Sequence, residues 1–166
     1  MSKSRTYGLT LARDLIRVEV DSVMYAFEIA RIREIVNPLP LIELPREHEA
    51  VLGVSDYREE VVAVVDLRRV FGLAPQEPTR RTKWLILETR RGLAAVVVDA
   101  VHDVISSENN RPRHVPVLDE RHLKRGIKSA YRYYERLVFL LDADRVAQPA
   151  FEIAPVEIPF LPSEAP

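Results

Sequence analysis

The sequence predicts an all-β protein, either a barrel or a sandwich of short strands, and three observations support this class. Its apolar runs are short and rich in β-branched residues, as in Val61–Val65. Turn-forming residues such as Asp21-Ser22 separate these runs at short intervals, which is typical of antiparallel β-structure. Only stubs of helix interrupt the strands, and a polar break around residues 73–83 indicates two lobes.

The chain begins its regular structure with a hairpin. Ile16–Val20 alternates apolar and polar residues, Asp21-Ser22 supplies the turn, and Met24–Ile29 resumes the alternation. This pattern predicts a hairpin with one buried and one solvated face. Residues 30–36 fit a turn of helix or a further strand, because their periodicity does not separate the two. A proline-containing loop is then predicted up to Gly53, since proline lacks the amide donor that regular structure needs.

The central stretch joins a charged loop to a core strand. The loop, Asp56–Glu60, must lie at the surface because burying its charges unpaired would cost too much free energy. Val61–Val65 is short and wholly apolar, which predicts a strand buried on both faces or nearly so. Asp66–Gly72 reads as a helical turn that ends at glycine. A rigid strand that carries an exposed loop with Arg58 at its middle favours a binding surface over a reaction centre.

The second half repeats these signals. It contains a predicted hairpin, a further strand and a closing core strand that turns after it: Trp84–Thr89 with Leu93–Asp99, then Val101–Ile105, then Arg136–Asp142. The polar segment 106–128 is predicted to be loop with at most one helical turn. From Gln148 onward the chain is rich in proline, which predicts an extended or disordered tail.

Composition excludes several classes of function. The formal net charge of −1 provides no long-range field that would attract nucleic acid or an anionic membrane. There is no cysteine, which excludes disulfides and thiolate chemistry. No apolar run approaches the roughly 20 residues of a spanning helix, and the polar N-terminus lacks a signal-peptide core. These features predict a cytoplasmic protein with a flexible tail over residues 1–9 and no insertion into the membrane.

The residues offer little for catalysis. The histidines at 48, 102, 114 and 122 are scattered without metal-ligand spacing, so no metal site and no cofactor are predicted. Asp66, Asp99 and Asp142 each follow an apolar strand, a position that favours capping or turn duty. A small hydrolase built on Asp66 or Asp99 remains one alternative, although no nucleophile–base pair accompanies them. We therefore predict no catalytic residue.

A second alternative rests on an aromatic and basic segment near the end of the chain. Tyrosines at 131, 133 and 134 alternate with or neighbour the basic residues Lys124, Arg125, Lys128 and Arg132. Aromatic side chains on small barrels can stack on the bases of single-stranded nucleic acid. Packing of the tyrosines along a strand is the competing interpretation.

Five blocks in order along the chain resemble the CheW family, the adaptor domain of bacterial chemosensory arrays. The blocks occupy much of residues 12–146 at near-constant spacing: Tyr25–Ile29, Ile32–Ile35, Gly53–Glu59 with Val65–Gly72, Val97–Val104, and Arg136–Asp142. Within them Val65-Asp66-Leu67-Arg68 and Val138-Phe139-Leu140-Leu141-Asp142 are the family's strand endings. One block alone would be weak, whereas the ordered set is specific.

The resemblance implies two five-stranded, SH3-like barrels that share a hydrophobic core, within a domain spanning 10–146 and followed by a tail over 147–166. It also implies a non-enzymatic scaffold that bridges the cytoplasmic tips of chemoreceptors to the regulatory domain of a CheA-type histidine kinase. Carried over by position, the receptor contact falls on Ile32, Glu34, Arg58 and Val104, in the groove between the lobes. Arg58 would bind a carboxylate or carbonyl of the partner.

The sequence departs from the family pattern in the charged loop. Asp56 replaces the family's asparagine, Glu59 replaces a glycine, and Glu60 adds a third carboxylate near Arg58. Two family prolines are also replaced, by His48 and Ala63. Because glutamate tolerates positive φ poorly, we expect a hairpin tip of different shape. We also expect the loop carboxylates to neutralise Arg58, which would alter one partner interface and weaken the kinase contact.

Overall fold

The computed structural model describes residues 14–45, 48–106 and 125–153, which contain ten β-strands and a few short helices. The strands are β1 (Leu15–Val20), β2 (Val23–Glu28), β3 (Ile32–Val36), β4 (Val51–Tyr57), β5 (Glu60–Asp66), β6 (Lys83–Thr89), β7 (Gly92–Val98), β8 (Ala100–Ile105), β9 (Ile127–Tyr133) and β10 (Arg136–Leu141). The helices are α1 (Leu67–Val70) and α2 (Ala143–Val146), with 3-10 turns at Ile29–Arg31 and Gln148–Phe151.

The strands form two five-stranded sheets, each curved into a small barrel. The first barrel has the strand order β8-β1-β2-β10-β9, and the second has the order β3-β6-β7-β5-β4. The second barrel is therefore continuous in sequence and is inserted between β2 and β8 of the first. The predicted break at residues 73–83 joins β5 to β6, which belong to the same sheet, so it does not separate the lobes.

Three apolar clusters hold this arrangement together. The largest combines residues of both sheets, such as Val18 and Phe27 of the first barrel with Leu85 and Val96 of the second, all fully buried. Each barrel also has an interior of its own, which contains Val138 in the first and Trp84 in the second. The all-β fold of two SH3-like barrels with a shared core is thus confirmed.

The predicted hairpins β1–β2 and β6–β7 form with unbroken antiparallel registers. Residues 29–36 use both conformations that the sequence left open, since a 3-10 turn over Ile29–Arg31 leads directly into β3. Asp66 and Asp142 cap α1 and α2, because each carboxylate accepts a hydrogen bond from the amide two residues later. These cap roles confirm the prediction for Asp66 and Asp142.

Two strands were missed by the sequence patterns. The chain was predicted to loop up to Gly53 and across Asp56–Glu60, but β4 runs to Tyr57 and β5 begins at Glu60, so only Arg58 and Glu59 form the turn. The predicted loop 106–128 likewise gives way to β9 from Ile127. Neither strand shows a clear apolar alternation, because Gly53 and Ser55 stand on the buried face of β4 and the buried residues of β9 include the neighbours Ala130 and Tyr131.

Val61–Val65 is a strand, but it is not buried throughout. Val62, Val64 and Val65 are buried, whereas Val61 is 67% exposed at the outer end of β5. The prediction of a strand buried on both faces, or nearly so, therefore fails at Val61 and holds for Val62, Val64 and Val65. An apolar run does not reveal where a strand leaves the core.

Gly53 allows the segment around Ile42 to pair with β4. Ile42 pairs with Val54 through two backbone hydrogen bonds of 2.8 and 2.9 Å. A Cβ atom at Gly53 would lie 2.2 Å from the carbonyl oxygen of Ile42, closer than atoms can approach. Glycine is therefore required here by a close backbone approach.

The C-terminal prediction is wrong where it can be compared. Gln148–Phe151 forms a 3-10 turn with Pro149 buried, and this turn packs against β5. Proline fits here because it stands in the first turn, where its missing amide donor is not needed. The predictions for residues 1–9, 107–124 and 154–166 lie outside the described residues.

Candidate partner-binding site

The structure joins two of the predicted site residues at the edge of the second barrel. Glu34 lies on the edge strand β3, and Arg58 is the first residue of the β4–β5 turn. The guanidinium binds the carboxylate through two bonds, from Nε to Oε1 at 3.0 Å and from Nη2 to Oε2 at 3.2 Å. This paired geometry holds Arg58 in one orientation, because both groups are planar.

Tyr57 completes the pair, and sequence reasoning missed it. Its hydroxyl donates to Oε1 of Glu34 at 2.6 Å, and the Arg58 guanidinium lies 5.7 Å from the centre of its ring. Tyr57 is only 4% exposed, so its ring belongs to the interior of the second barrel. The signal was the alternation Val51, Gly53, Ser55, Tyr57, which is the buried face of β4.

Glu34, Tyr57 and Arg58 form a triad in which each hydrogen bond favours the charge state that the others require. Hydrogen bonds from Arg58 and then from Tyr57 lower the pKa of Glu34 below its ordinary value of 4.5. The same bonds raise the pKa of Tyr57 and that of Arg58, chiefly through the Glu34 carboxylate. At neutral pH the site therefore presents a carboxylate, a neutral phenol and a guanidinium that remains charged.

The hairpin tip differs from the sequence-based expectation. Arg58 and Glu59 adopt φ values of 47° and 70°, the left-handed pair that a tight two-residue hairpin turn requires. Glu59 thus accepts positive φ, and the expectation that it would avoid this conformation is wrong. The side chain of Asp56 supports the turn by accepting the amide hydrogen of Glu59 at 3.0 Å.

The expected neutralisation of Arg58 by the loop carboxylates is also wrong. The ion pair of Arg58 is formed with Glu34, on another strand, while Asp56 binds the backbone of the turn. Glu60 is exposed at the start of β5, opposite Tyr57 in the β4–β5 register. The guanidinium of Arg58 is therefore paired with a residue of another strand and not with a carboxylate of its own loop.

The two apolar site residues lie on different barrels. Ile32 begins β3 in the second barrel and is partly buried against the shared core. Val104 lies on β8, the edge strand of the first barrel, where it is 52% exposed opposite Ile16. A surface that contains all four predicted residues therefore depends on how the two barrels are oriented.

A cavity of about 860 Å³ lies beside Asp66 and Asp99, the residues of the hydrolase alternative. Both carboxylates are already engaged: Asp66 caps α1 and lies 3.5 Å from Nε of Arg69, and Asp99 pairs with Arg68 at 2.8 Å. Burial raises the pKa of Asp66. The described residues that line the cavity include no histidine, so they supply no nucleophile–base pair of the usual kind.

The tyrosine segment is divided between interior and surface. Tyr131 is buried in the first barrel, and Tyr133 packs edge-to-face against Tyr134 with ring centres 4.6 Å apart. Lys128 pairs with Glu28 at 2.7 Å, whereas Lys124 lies outside the described residues. Tyr134 alone of the three is strongly exposed, at 84%, so the alternating rings do not form one stacking surface.

In the described ranges no three histidine, cysteine, aspartate or glutamate side chains gather where they could hold a metal ion. Across the same ranges no helix is long and apolar enough to cross a membrane.

Comparison with known proteins identifies the protein family. The family model of the CheW-like domain matches residues 14–150, so this chain belongs to the CheW-like family. A probable chemotaxis protein CheW of Rhizobium etli is 29% identical over 118 residues, which cover 69% of this chain and 76% of the relative. The chemotaxis proteins CheW of Rhizobium meliloti and Helicobacter pylori are 27% and 28% identical, covering 81% and 76% of this chain and 86% and 76% of their own lengths.

The fold agrees with a solved structure of the same kind. The scaffolding protein TtCheW of Thermoanaerobacter tengcongensis superposes with a TM-score of 0.74 and 19% sequence identity. The match covers 89% of this chain and 98% of that protein. It supports the two-barrel fold, and the low identities agree with a diverged member of the family.

Proposed function

We propose that this chain is a non-enzymatic chemotaxis adaptor that works in the cytoplasm and couples the cytoplasmic tips of chemoreceptors to the regulatory domain of a CheA-type histidine kinase. The match of residues 14–150 to the CheW-like domain supports an adaptor role. An adaptor works through binding alone, since it transmits a conformational bias between its partners. The engaged carboxylates beside the cavity are consistent with this role.

The orientation of Arg58 is the observation that carries the proposal. Its side chain is 71% exposed even though Glu34 binds Nε and Nη2, which leaves Nη1 outside the pair. Holding a long side chain in one rotamer before binding reduces the entropy that complex formation must overcome. Arg58 is therefore prepared to donate to a carboxylate or carbonyl of a receptor helix.

Apolar contact area would come from Ile32 on β3 of the second barrel and from Val104 on β8 of the first. An apolar helix face that docks into a groove between rigid elements is a common mode of recognition. A charged pair with apolar neighbours suits this mode, because the charge sets orientation and the apolar area contributes affinity.

The test is direct binding of the purified protein to receptor and kinase fragments, each measured separately by calorimetry. We expect both to bind, and Arg58→Ala to weaken the receptor fragment by about tenfold, as is typical when a contact arginine is truncated. Arg132→Ala is the matched control, because Arg132 is also an exposed arginine but lies on β9 of the first barrel. It should bind like the wild type.

Two results would contradict the proposal. Failure of the wild-type protein to bind either fragment would remove the adaptor role. Equal losses for Arg58→Ala and Arg132→Ala would show that general charge matters and the Glu34–Arg58 pair does not. Salt-sensitive binding to a single-stranded oligonucleotide would instead favour the nucleic-acid alternative, for which the comparisons give no support.

A further inference from the structure

The chain passes between the two barrels twice, and each crossing carries a charged side chain. One crossing is the 3-10 turn Ile29–Arg31 between β2 and β3, and the other is the single residue Asp99 between β7 and β8. Arg31 and Asp99 each pair with a residue of a short helix, and the carboxylate of each pair also accepts the backbone amide hydrogen of a hairpin turn. We call the group around Asp99 the first clasp and the group around Arg31 the second clasp.

The first clasp consists of Asp99, Arg68 and Asp21. Nε and Nη2 of Arg68 donate to the Asp99 carboxylate at 2.9 and 2.8 Å, and the same carboxylate accepts the amide hydrogen of Asp21 at 2.8 Å. Arg68 lies on α1 of the second barrel, whereas Asp21 lies in the β1–β2 turn of the first. The Arg68 side chain is only 14% exposed. This clasp therefore ties the two barrels together at one end.

The second clasp consists of Arg31, Asp144 and Arg90. Nη2 of Arg31 donates to Oδ1 of Asp144 at 2.6 Å, and the amide of Arg90 donates to the same oxygen at 2.9 Å. Asp144 lies on α2 of the first barrel, whereas Arg90 lies in the β6–β7 turn of the second. The partners are thus the same kinds of element as in the first clasp, with the barrels exchanged.

The two clasps occupy equivalent positions but carry opposite charges. Arg68 is the second residue of α1 and Asp144 is the second residue of α2. The helix supplies the cation in the first clasp and the anion in the second. Opposite polarity makes each helix residue repel the crossing residue of the other clasp, so only one mutual docking of the two similar barrels is favoured.

We propose that the two clasps act as positioning residues that set the angle between the barrels, and that they thereby align Val104 with the Glu34–Arg58 pair. The shared apolar core holds the barrels in contact, but apolar contact is not directional. Charge-assisted hydrogen bonds are directional, and these lie at the crossings where rotation would occur. The alignment matters for binding only if the proposed function holds, whereas the angle can be measured without a partner.

The experiment measures the distance between the barrels by pulsed electron paramagnetic resonance. The chain contains no cysteine, so spin labels attach only at the introduced cysteines Val61→Cys on the second barrel and Arg132→Cys on the first. We expect Arg68→Gln and Asp144→Asn each to broaden or shift the distance distribution. Unlabelled versions of these variants should bind the receptor fragment about tenfold more weakly, within the usual range of coupling between sites.

Lys128→Gln is the matched control. It removes an ion pair of 2.7 Å with Glu28 that lies within the first barrel, so the distance and the affinity should not change. Near-ultraviolet circular dichroism of the buried Trp84 verifies that each variant is folded. Arg31→Gln, whose side chain is partly exposed, replaces Asp144→Asn if that variant does not fold.

A lower melting temperature with an unmoved distance distribution in the clasp variants would overturn the proposal, because the clasps would then only stabilise. A changed distance distribution together with wild-type affinity would overturn the inference that the clasps align the binding surface. If the wild-type protein binds no fragment, the proposed function fails, and the distance measurement still decides whether the clasps set the angle.

Discussion

Both barrels are closed by a tyrosine, a carboxylate and an arginine, but the arginines are presented differently. In the second barrel Tyr57 and Arg58 bind Glu34. In the first barrel Arg17 binds Asp103 at 2.8 Å, and the Tyr133 hydroxyl lies 3.4 Å from the same carboxylate. Tyr57 and Tyr133 each end the strand that precedes a two-residue turn, and each carries a guanidinium over its ring.

The two triads differ in the element that carries the arginine, and this difference makes the first triad structural and the second a candidate binding site. Arg17 comes from the inner strand β1, and its side chain is 17% exposed, whereas Arg58 comes from a hairpin tip and is 71% exposed. The first triad is thus enclosed by its own sheet. The second has the same chemistry turned toward solvent, where a partner can reach the guanidinium.

The largest expected difference between the barrels concerns Gly53. Gly53→Ala should lower the free energy of unfolding by about 3 kcal/mol, because the new Cβ would displace Ile42 and break its pairing with Val54. Ser129 is the third residue of β9, as Gly53 is of β4, so Ser129→Ala should cost less than about 0.5 kcal/mol. Urea unfolding of both variants measures this, and equal losses would refute the assignment of a unique close approach to β4.

Replacing each arginine by lysine tests the distinction between the triads directly. Arg58→Lys keeps the charge but loses the two-bond geometry, so binding of a receptor fragment should weaken about fivefold. Arg17→Lys should leave that affinity unchanged, because the Arg17 side chain is mostly enclosed. Calorimetric titration measures both, and weaker binding by Arg17→Lys alone would move the candidate site to the first barrel.

The two tyrosine hydroxyls should differ in their contribution to stability. Tyr57→Phe removes a bond of 2.6 Å to a charged acceptor and should cost about 1.5 kcal/mol of unfolding free energy. Tyr133→Phe removes a contact of 3.4 Å and should cost less. Thermal unfolding gives the comparison. A larger loss for Tyr133→Phe would show that the first triad is the tighter one.

The smallest expected effect is a dependence of stability on acid. The pKa of Glu34 is lowered in the folded state, so its ion pair stabilises the fold above the ordinary value of 4.5, and this stabilisation is lost as the pH falls through the lower folded-state pKa. Arg17 lowers the pKa of Asp103 in the same way, so this ion pair should stabilise the fold above the ordinary value of 3.8 and lose that effect as the pH falls through the folded-state pKa. Glu34→Gln and Asp103→Asn should each flatten this acid transition, as followed by urea unfolding at each pH. Identical curves for both variants and the wild type would contradict the pKa directions.

Much of the local structure could be predicted because it depends on neighbouring residues. Alternation predicted β1–β2, two apolar runs around a turn predicted β6–β7, and the strand-ending aspartates predicted the caps of α1 and α2. The strands β4 and β9 were missed because the buried face of β4 contains Gly53 and Ser55, which are not apolar side chains, and because the buried residues of β9 do not alternate. The 3-10 turn at Gln148–Phe151 was missed because proline content was taken as a sign of extension.

The site could be predicted only in part. Family resemblance selected Glu34 and Arg58, and the structure brings them into contact. The role of Tyr57 and the support of the turn by Asp56 did not follow from the residues, because each depends on which strand lies alongside. The grouping of Ile32 and Val104 with this pair remains a prediction for the binding experiments.

By itself the sequence determined the all-β class, most strand positions, the capping aspartates and the family. These follow from periodicity, turn chemistry and motif order, which are properties of short stretches of chain. The tertiary structure decided that one barrel is inserted into the other, that Glu34 pairs with Arg58, and that Arg31 and Asp99 tie the crossings. Such contacts join residues far apart in the chain, and sheet order determines them. Local patterns do not encode sheet order, because the same strand can be accommodated beside many neighbours.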